Sequence, residues 1–169
     1  MSGGGVRRWL LVGVALAVTG ALVAGCGVRP SGVITGNPAP SGPAEGAELY
    51  LLAAGELTPV LRPTGKVPSP TEALTLLAAG PSPEERAQGL GSEVPSAATA
   101  VSVASGTPAT EITVTLDMDV SALSGTAIEQ ITCTAEVAVF PDYSPPGQVS
   151  VTVTGGGHTR EPQTCFPFR

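Results

Sequence analysis

Ser69-Pro70-Thr71-Glu72-Ala73-Leu74-Thr75-Leu76-Leu77-Ala78-Ala79-Gly80-Pro81-Ser82-Pro83-Glu84-Glu85 holds two helix openings in succession. Ser69 can accept a hydrogen bond from the first turn as an N-cap. Pro70 stands where a missing N–H costs nothing, and Glu72 can reach back to the cap. Ala73, Leu74, Leu76, Leu77 and Ala78 then recur at helical spacing and give one apolar face. Gly80-Pro81 stops the helix. Ser82-Pro83-Glu84-Glu85 repeats the opening, so a second, short helical turn should run through Ala87 until Gly89 and Gly91 break the chain. Glu84 and Glu85 suit a first turn, where the helix dipole favours negative charge.

On either side of this helical centre the chain reads as strands. Glu48–Ala53 is a first strand, Gly55-Glu56 a tight turn, and Leu57–Arg62 a returning strand. Pro59 removes a ladder donor, so the returning strand should be an edge or bulged. Downstream, Ala97–Val103 alternates toward a strand, Gly106-Thr107-Pro108 turns, and Glu111–Leu116 is the clearest strand of all. Its Ile112, Val114 and Leu116 face one way, and Glu111, Thr113 and Thr115 the other. By propensity Ile128–Phe140 reads as a strand, although Ala127, Ile128, Ile131 and Ala135 also keep helical spacing. Val149–Thr154 alternates again, and Gly155–Arg169 reads as an irregular tail. The expected class is α+β, with a small mixed sheet, two main helices on one face and one domain over 47–169.

The amino terminus carries a different signal. Arg7 and Arg8 precede an uncharged, mostly apolar run from Trp9 to Gly25, the two parts of an export signal. At its end, Leu22-Val23-Ala24-Gly25-Cys26 resembles the bacterial lipobox, Leu-x-Ala/Ser-Gly/Ala-Cys. That resemblance implies cleavage after residue 25 and a diacylglycerol on the Cys26 sulfur. Each buried methylene contributes about 0.8 kcal/mol, so two or more chains anchor stably where one does not. The rival is an uncleaved span, since the 20 residues between Arg8 and Arg29 match the ~20 needed to cross a bilayer. Either way the remaining chain lies outside the membrane. Gly27–Gly46, rich in Gly, Pro, Ser and Ala, reads as a tether, so the lipidated cysteine and tether occupy 26–46.

The chain has 169 residues with 14 acidic and 8 basic side chains, a net charge of −6. Loss of Arg7 and Arg8 would make it more acidic still. Such a chain is a poor match to nucleic acid, and it has no polybasic stretch for anionic lipid. With Cys26 lipidated, Cys133 and Cys165 remain as a pair in a compartment where disulfides persist. A Cys133–Cys165 bridge would close a loop of about 30 residues, worth roughly 3–4 kcal/mol in the chain-entropy model. The rivals are two free thiols or half a metal site. One histidine in the chain and no Cys-x-x-Cys argue against zinc.

Groups for catalysis are scarce. His158 is the only histidine, and a general base wants a carboxylate orienter and a nucleophile beside it. It reads as an exposed loop residue within a glycine-rich turn, Gly155-Gly156-Gly157, that lacks the Lys-Ser/Thr of a phosphate loop. Asp117 and Asp119 lie at a strand end. They could form an acid pair or bind calcium, but capping the turn before Ser121-Ala122-Leu123 is the simpler use. No catalytic residue, metal or cofactor is expected.

The ordered motifs resemble the GerMN (sporulation and spore germination) domain. The matching segments are Leu49-Tyr50-Leu51, Leu57–Arg62, Ala73–Glu85, Gly89–Pro95 and Val114–Asp117. Ala127-Ile128-Glu129-Gln130-Ile131-Thr132-Cys133-Thr134 resembles the family's Gln-Ile-Val-x-Thr helix, in the cysteine-bearing form of actinobacterial lipoproteins. The resemblance covers residues 48 to 167. It implies helices on one face of a small mixed sheet, with a helix from Thr126 to about Ala138 in place of the strand that propensity suggests. It further implies a non-enzymatic binding or scaffold role in the cell envelope, outside the cytoplasmic membrane, with an envelope protein or cell-wall partner. A peptidoglycan-directed hydrolase using Asp117, Asp119 or His158 is the rival expectation.

Overall fold

The computed structural model describes residues 45–108, 110–141 and 148–166. These residues belong to one compact unit, Gly42–Arg169. In chain order the elements are β1 (Gly46–Ala53), β2 (Glu56–Pro63), α1 (Pro70–Ala78), α2 (Pro83–Ala87), β3 (Leu90–Gly91), β4 (Ala100–Ser105) and β5 (Glu111–Leu116). A 3₁₀ turn (Val120–Ala122) follows, then α3 (Gly125–Val139), β6 (Ser150–Gly155) and β7 (His158–Thr159). The α+β class expected from the sequence is the class observed. The strands, however, divide between two sheets. One is antiparallel, in the order β2-β1-β3, and the other is mixed, in the order β4-β5-β6-β7. Its one parallel pair, β5 with β6, needs a crossover, and α3 supplies it.

Both helix openings form as their residues dictate. Ser69 and Ser82 each accept from the backbone N–H three residues on, and Glu72 and Glu85 each reach back to the cap N–H. Leu74 and Leu77 of α1 are buried against Leu49 and Leu51 of β1, Ile128 and Ile131 of α3, and the inward rows Ile112–Val114 and Val151–Val153. Those last two rows lie in register on adjacent strands, Ile112 opposite Val151 and Val114 opposite Val153.

Four sequence expectations shift. The first turn is Ala54-Gly55 rather than Gly55-Glu56, with φ of 51° and 88°. A two-residue hairpin of this hand needs positive φ at both positions, and Gly55 takes the second at no steric cost. β4 starts at Ala100 rather than Ala97, because Ala98 and Thr99 donate back to Pro95 and Ala97 in a turn. Gly155–Arg169 is not simply irregular: β7 returns on β6, and Gln163 forms a bridge with Val151.

The fourth shift is the largest. Ile128–Val139 is helix, with Phe140 as its C-cap, as the family resemblance implies and against its strand propensity. Ser124, unrecognised in the sequence, caps it by accepting from the Ala127 N–H at 3.1 Å. From Ala127 to Glu136 only Glu129 escapes burial. A helix enclosed on nearly all sides need not show a polar face, so periodicity was a weak guide.

The link between α3 and β1 explains a spacing and a proline together. Gln130 Nε2 donates to the Tyr50 carbonyl at 2.8 Å, and the Tyr50 N–H donates to Thr134 Oγ1 at 3.0 Å. Two side chains one helical turn apart thus serve both backbone groups of a single strand residue. Tyr50 stands opposite Pro59. Since its N–H and C=O turn toward α3, this is a non-hydrogen-bonded pair, and the N–H that Pro59 lacks would point away from β1. Gln130 Oε1 also accepts from the Glu93 N–H at 2.8 Å, tying the loop after β3 to the same helix.

Candidate functional site

Cys26, its lipobox and the tether through residue 44 lie outside the described residues; Gly46, expected as the tether's last residue, is instead the buried first residue of β1. The other expected cysteine pair is joined: Cys133 of α3 and Cys165 of the tail form a disulfide with Cα atoms 4.8 Å apart, 32 residues apart in sequence. Both are buried, in a small cluster with Tyr50 that Leu57 and Val137 complete. The tail is therefore tied twice. Val151 and Gln163 exchange backbone bonds of 2.7 and 2.9 Å, and the disulfide follows two residues later.

Beside the bond lies a cleft of about 340 Å³, lined by Leu57, Glu129, Cys133, Pro162, Gln163, Thr164 and Phe166. Phe166 is half exposed at its mouth. The lining brings an aromatic ring, an aliphatic side chain and a carboxylate to one cleft. Leu57, Glu129 and Phe166 come from β2, α3 and the tail, so nothing local in the sequence marked them as neighbours.

The residues considered for catalysis are partly brought together. His158 Nδ1 lies 3.0 Å from Asp119 Oδ1, with both side chains about half exposed. Asp119 caps the 3₁₀ turn as expected, accepting from the Ser121 N–H at 2.9 Å. Its carboxyl is held below the usual aspartate range by the Ser121 hydroxyl and N–H first, and by His158 after them. The triple glycine that positions His158 is a turn packed against Met118 and Asp119. A Cβ on Gly155 would fall 2.3 Å from the Met118 carbonyl oxygen, and one on Gly156 2.5 Å from the Asp119 Cα. Asp117 shares in none of this; its N–H donates to the Thr99 carbonyl. The pair has the carboxylate–imidazole geometry of a positioned base. Among the described residues no hydroxyl or thiol hydrogen-bonds to the imidazole, and no group of three or more His, Cys, Asp or Glu is placed to hold a metal.

One further polar centre escaped the sequence reading. Arg62 of β2 grips Glu85 through Nε at 3.1 Å and through Nη2, and donates from Nη1 and Nη2 to the carbonyls of Leu76 and Gly80 at 3.2 and 3.1 Å. One guanidinium thus holds the end of α1, the start of α2 and the edge strand. The Arg62 hydrogen bonds keep the Glu85 carboxyl below its ordinary value against the opposing effect of burial. This centre joins three elements of the fold through one side chain.

Among the described residues no helix is long and apolar enough to cross a membrane. The chain matches no protein-family model, no curated protein and no solved structure.

Proposed function

We propose that this chain is an extracytoplasmic lipoprotein, anchored through Cys26, whose GerMN-like domain binds an envelope protein or cell-wall material without catalysing a reaction. The use of its three cysteines carries the reading. Two are joined in a buried disulfide, a bond that persists in oxidising compartments. The third stands at a lipobox behind an export signal. The Gln130 and Thr134 bonds to Tyr50 support the domain assignment, because they supply a physical reason for the Gln and Thr at the two ends of the family's helix motif. The cleft beside the disulfide is the contact surface favoured by this reading.

Mass spectrometry of the protein from its native membrane tests the anchor. The expected amino terminus is a diacylglycerol-modified Cys26, and Cys26→Ala should release the chain from the membrane fraction. An unacylated terminus beginning at Met1 overturns the proposal. The alternative of a peptidoglycan-directed hydrolase draws on the Asp119–His158 contact. Release of soluble fragments from peptidoglycan by the full chain, abolished by His158→Ala and by Asp119→Asn, would establish that alternative in place of the binding role.

A further inference from the structure

The two sheets end in outer strands of opposite character. β2 carries Glu56, Pro59, Arg62 and Pro63, residues that discourage a further strand from pairing. β4 is Ala-Val-Ser-Val-Ala-Ser, without proline or charge. The uncharged stretch extends well beyond the strand: no ionisable side chain occurs in the 17 residues from Val94 to Thr110, in a chain whose net charge is −6.

The backbone of β4 has hydrogen-bonding groups to offer. Gly106 donates its N–H to the Glu111 carbonyl at 2.7 Å, and the register then runs back through Ser105 opposite Ile112 to Ser102 opposite Thr115. Antiparallel pairing alternates, so Ala104 and Ser102 direct their N–H and C=O groups toward β5, while Val103 and Ser105 direct theirs outward. Among the described residues none hydrogen-bonds to these outward groups. β4 from Val101 to Ser105 is exposed apart from the half-buried Val103, and Val101 reaches 62%.

We propose that β4 pairs with β4 of a second copy of this chain, antiparallel about a two-fold axis at Ala104. Val103 of each copy exchanges backbone hydrogen bonds with Ser105 of the other, and the two mixed sheets become one. A two-fold contact sets each edge against itself, so a charged edge would face its own charge. Here the edge is neutral although the molecule is acidic. Ala104 on the axis has the small side chain that a non-hydrogen-bonded pair admits at a Cα separation of about 4.5 Å. A foreign extended segment would need side-chain pockets beside the edge for selectivity, and alanine and serine supply none. The register shift between Ala100 and Ser102 breaks the alternation of outward groups on one side, so the pairing is short and the dimer weak.

Cysteine crosslinking of the purified full chain tests this independently of where the protein resides. Under a mild oxidant Ala104→Cys should form covalent dimers roughly tenfold faster than Glu56→Cys on the β2 edge. That is the ratio of an effective concentration on the order of 1 mM within a pair to about 10 µM in solution, scaled by about one chain in ten being paired in a weak dimer. Adding Ser105→Pro, which removes an outward N–H, should bring the rate down to that of Glu56→Cys, with circular dichroism confirming that the chain remains folded. Val103→Pro serves the same purpose if Ser105→Pro does not fold. Equal rates for the two cysteines, or fast crosslinking that persists in a folded proline variant, overturns the proposal.

Discussion

Ser69–Glu72 and Ser82–Glu85 share a sequence pattern and a hydrogen-bond pattern but not an environment. In each, serine accepts from the glutamate N–H, at 3.3 and 3.2 Å, and glutamate accepts from the serine N–H, at 2.8 and 2.6 Å. The first glutamate then meets Lys66 at 3.2 Å, with side chains 53% and 70% exposed. The second meets Arg62, with side chains 12% and 18% exposed. Lys66 is a point charge on a flexible stem in water, whereas Arg62 is a planar fork that also holds two helix-end carbonyls. The capping box starts a helix in both places. Only the second fixes that helix to the rest of the molecule, so equivalent substitutions should have unequal consequences.

The widest separation is expected at the cations. Arg62→Ala leaves the Glu85 carboxylate largely buried without its partner and removes donors from Leu76 and Gly80. Loss of a charged group's partner in such a setting costs about 2–4 kcal/mol, measurable by urea denaturation at pH 7. Arg62→Lys should recover less than half, because an ammonium cannot span both carboxylate oxygens and both carbonyls. The caps come next. Ser82→Ala should cost about 1–2 kcal/mol and Ser69→Ala about 0.5–1 kcal/mol, within the usual range for a lost N-cap. Equal losses at the two serines would mean that the motif acts locally and that Arg62 adds nothing to it.

How much of this the sequence carried follows from distance along the chain. Both boxes were readable because their partners lie three residues apart. Arg62 was read only as the end of an edge strand, because its partner lies 23 residues on and shares no pattern with it. The same division holds elsewhere. Cys133 and Cys165 could be paired by counting cysteines, but the cleft beside them is assembled from β2, α3 and the tail. Asp119 was legible as a cap through Ser121 nearby, and its contact with His158 was not, because the β6–β7 turn brings that residue back. α3 is the instructive failure. Its β-branched residues argue for strand locally, yet enclosure by both sheets and the cap from Ser124 decide for helix.

Acid separates the boxes in the other direction. Glu72 is drawn from 4.5 down to about 2 by the Ser69 N–H and hydroxyl and by Lys66, with little desolvation to oppose them. Glu85 is also lowered, by Arg62 foremost, but burial works against the shift. For a carboxyl depressed in the folded state, the unfolded chain takes up the proton first. The stabilisation is therefore complete above pH 4.5 and is lost as pH falls toward 2. Glu72→Gln should flatten the stability profile across that window more than Glu85→Gln does, although Glu85→Gln is the more damaging at pH 7. Denaturation series from pH 7 to pH 2 at low salt would show it. A steeper acid dependence owed to Glu85 would mean that burial opposes its ionisation less than the geometry implies.

The smallest effect belongs to Lys66. An exposed ion pair contributes about 0–1 kcal/mol, because both side chains lose freedom to form it and water screens it. Lys66→Ala should therefore change stability by about 0.5 kcal/mol or less, and the change should vanish in ~1 M salt, where the Debye length is about 3 Å. Arg62→Ala should keep most of its cost under the same conditions, since salt cannot enter between the guanidinium and a carboxylate 12% exposed. The salt series thus isolates what burial adds to one motif. If both losses faded together, the Arg62–Glu85 pair would be a surface contact in solution, and α2 would be held by its cap alone.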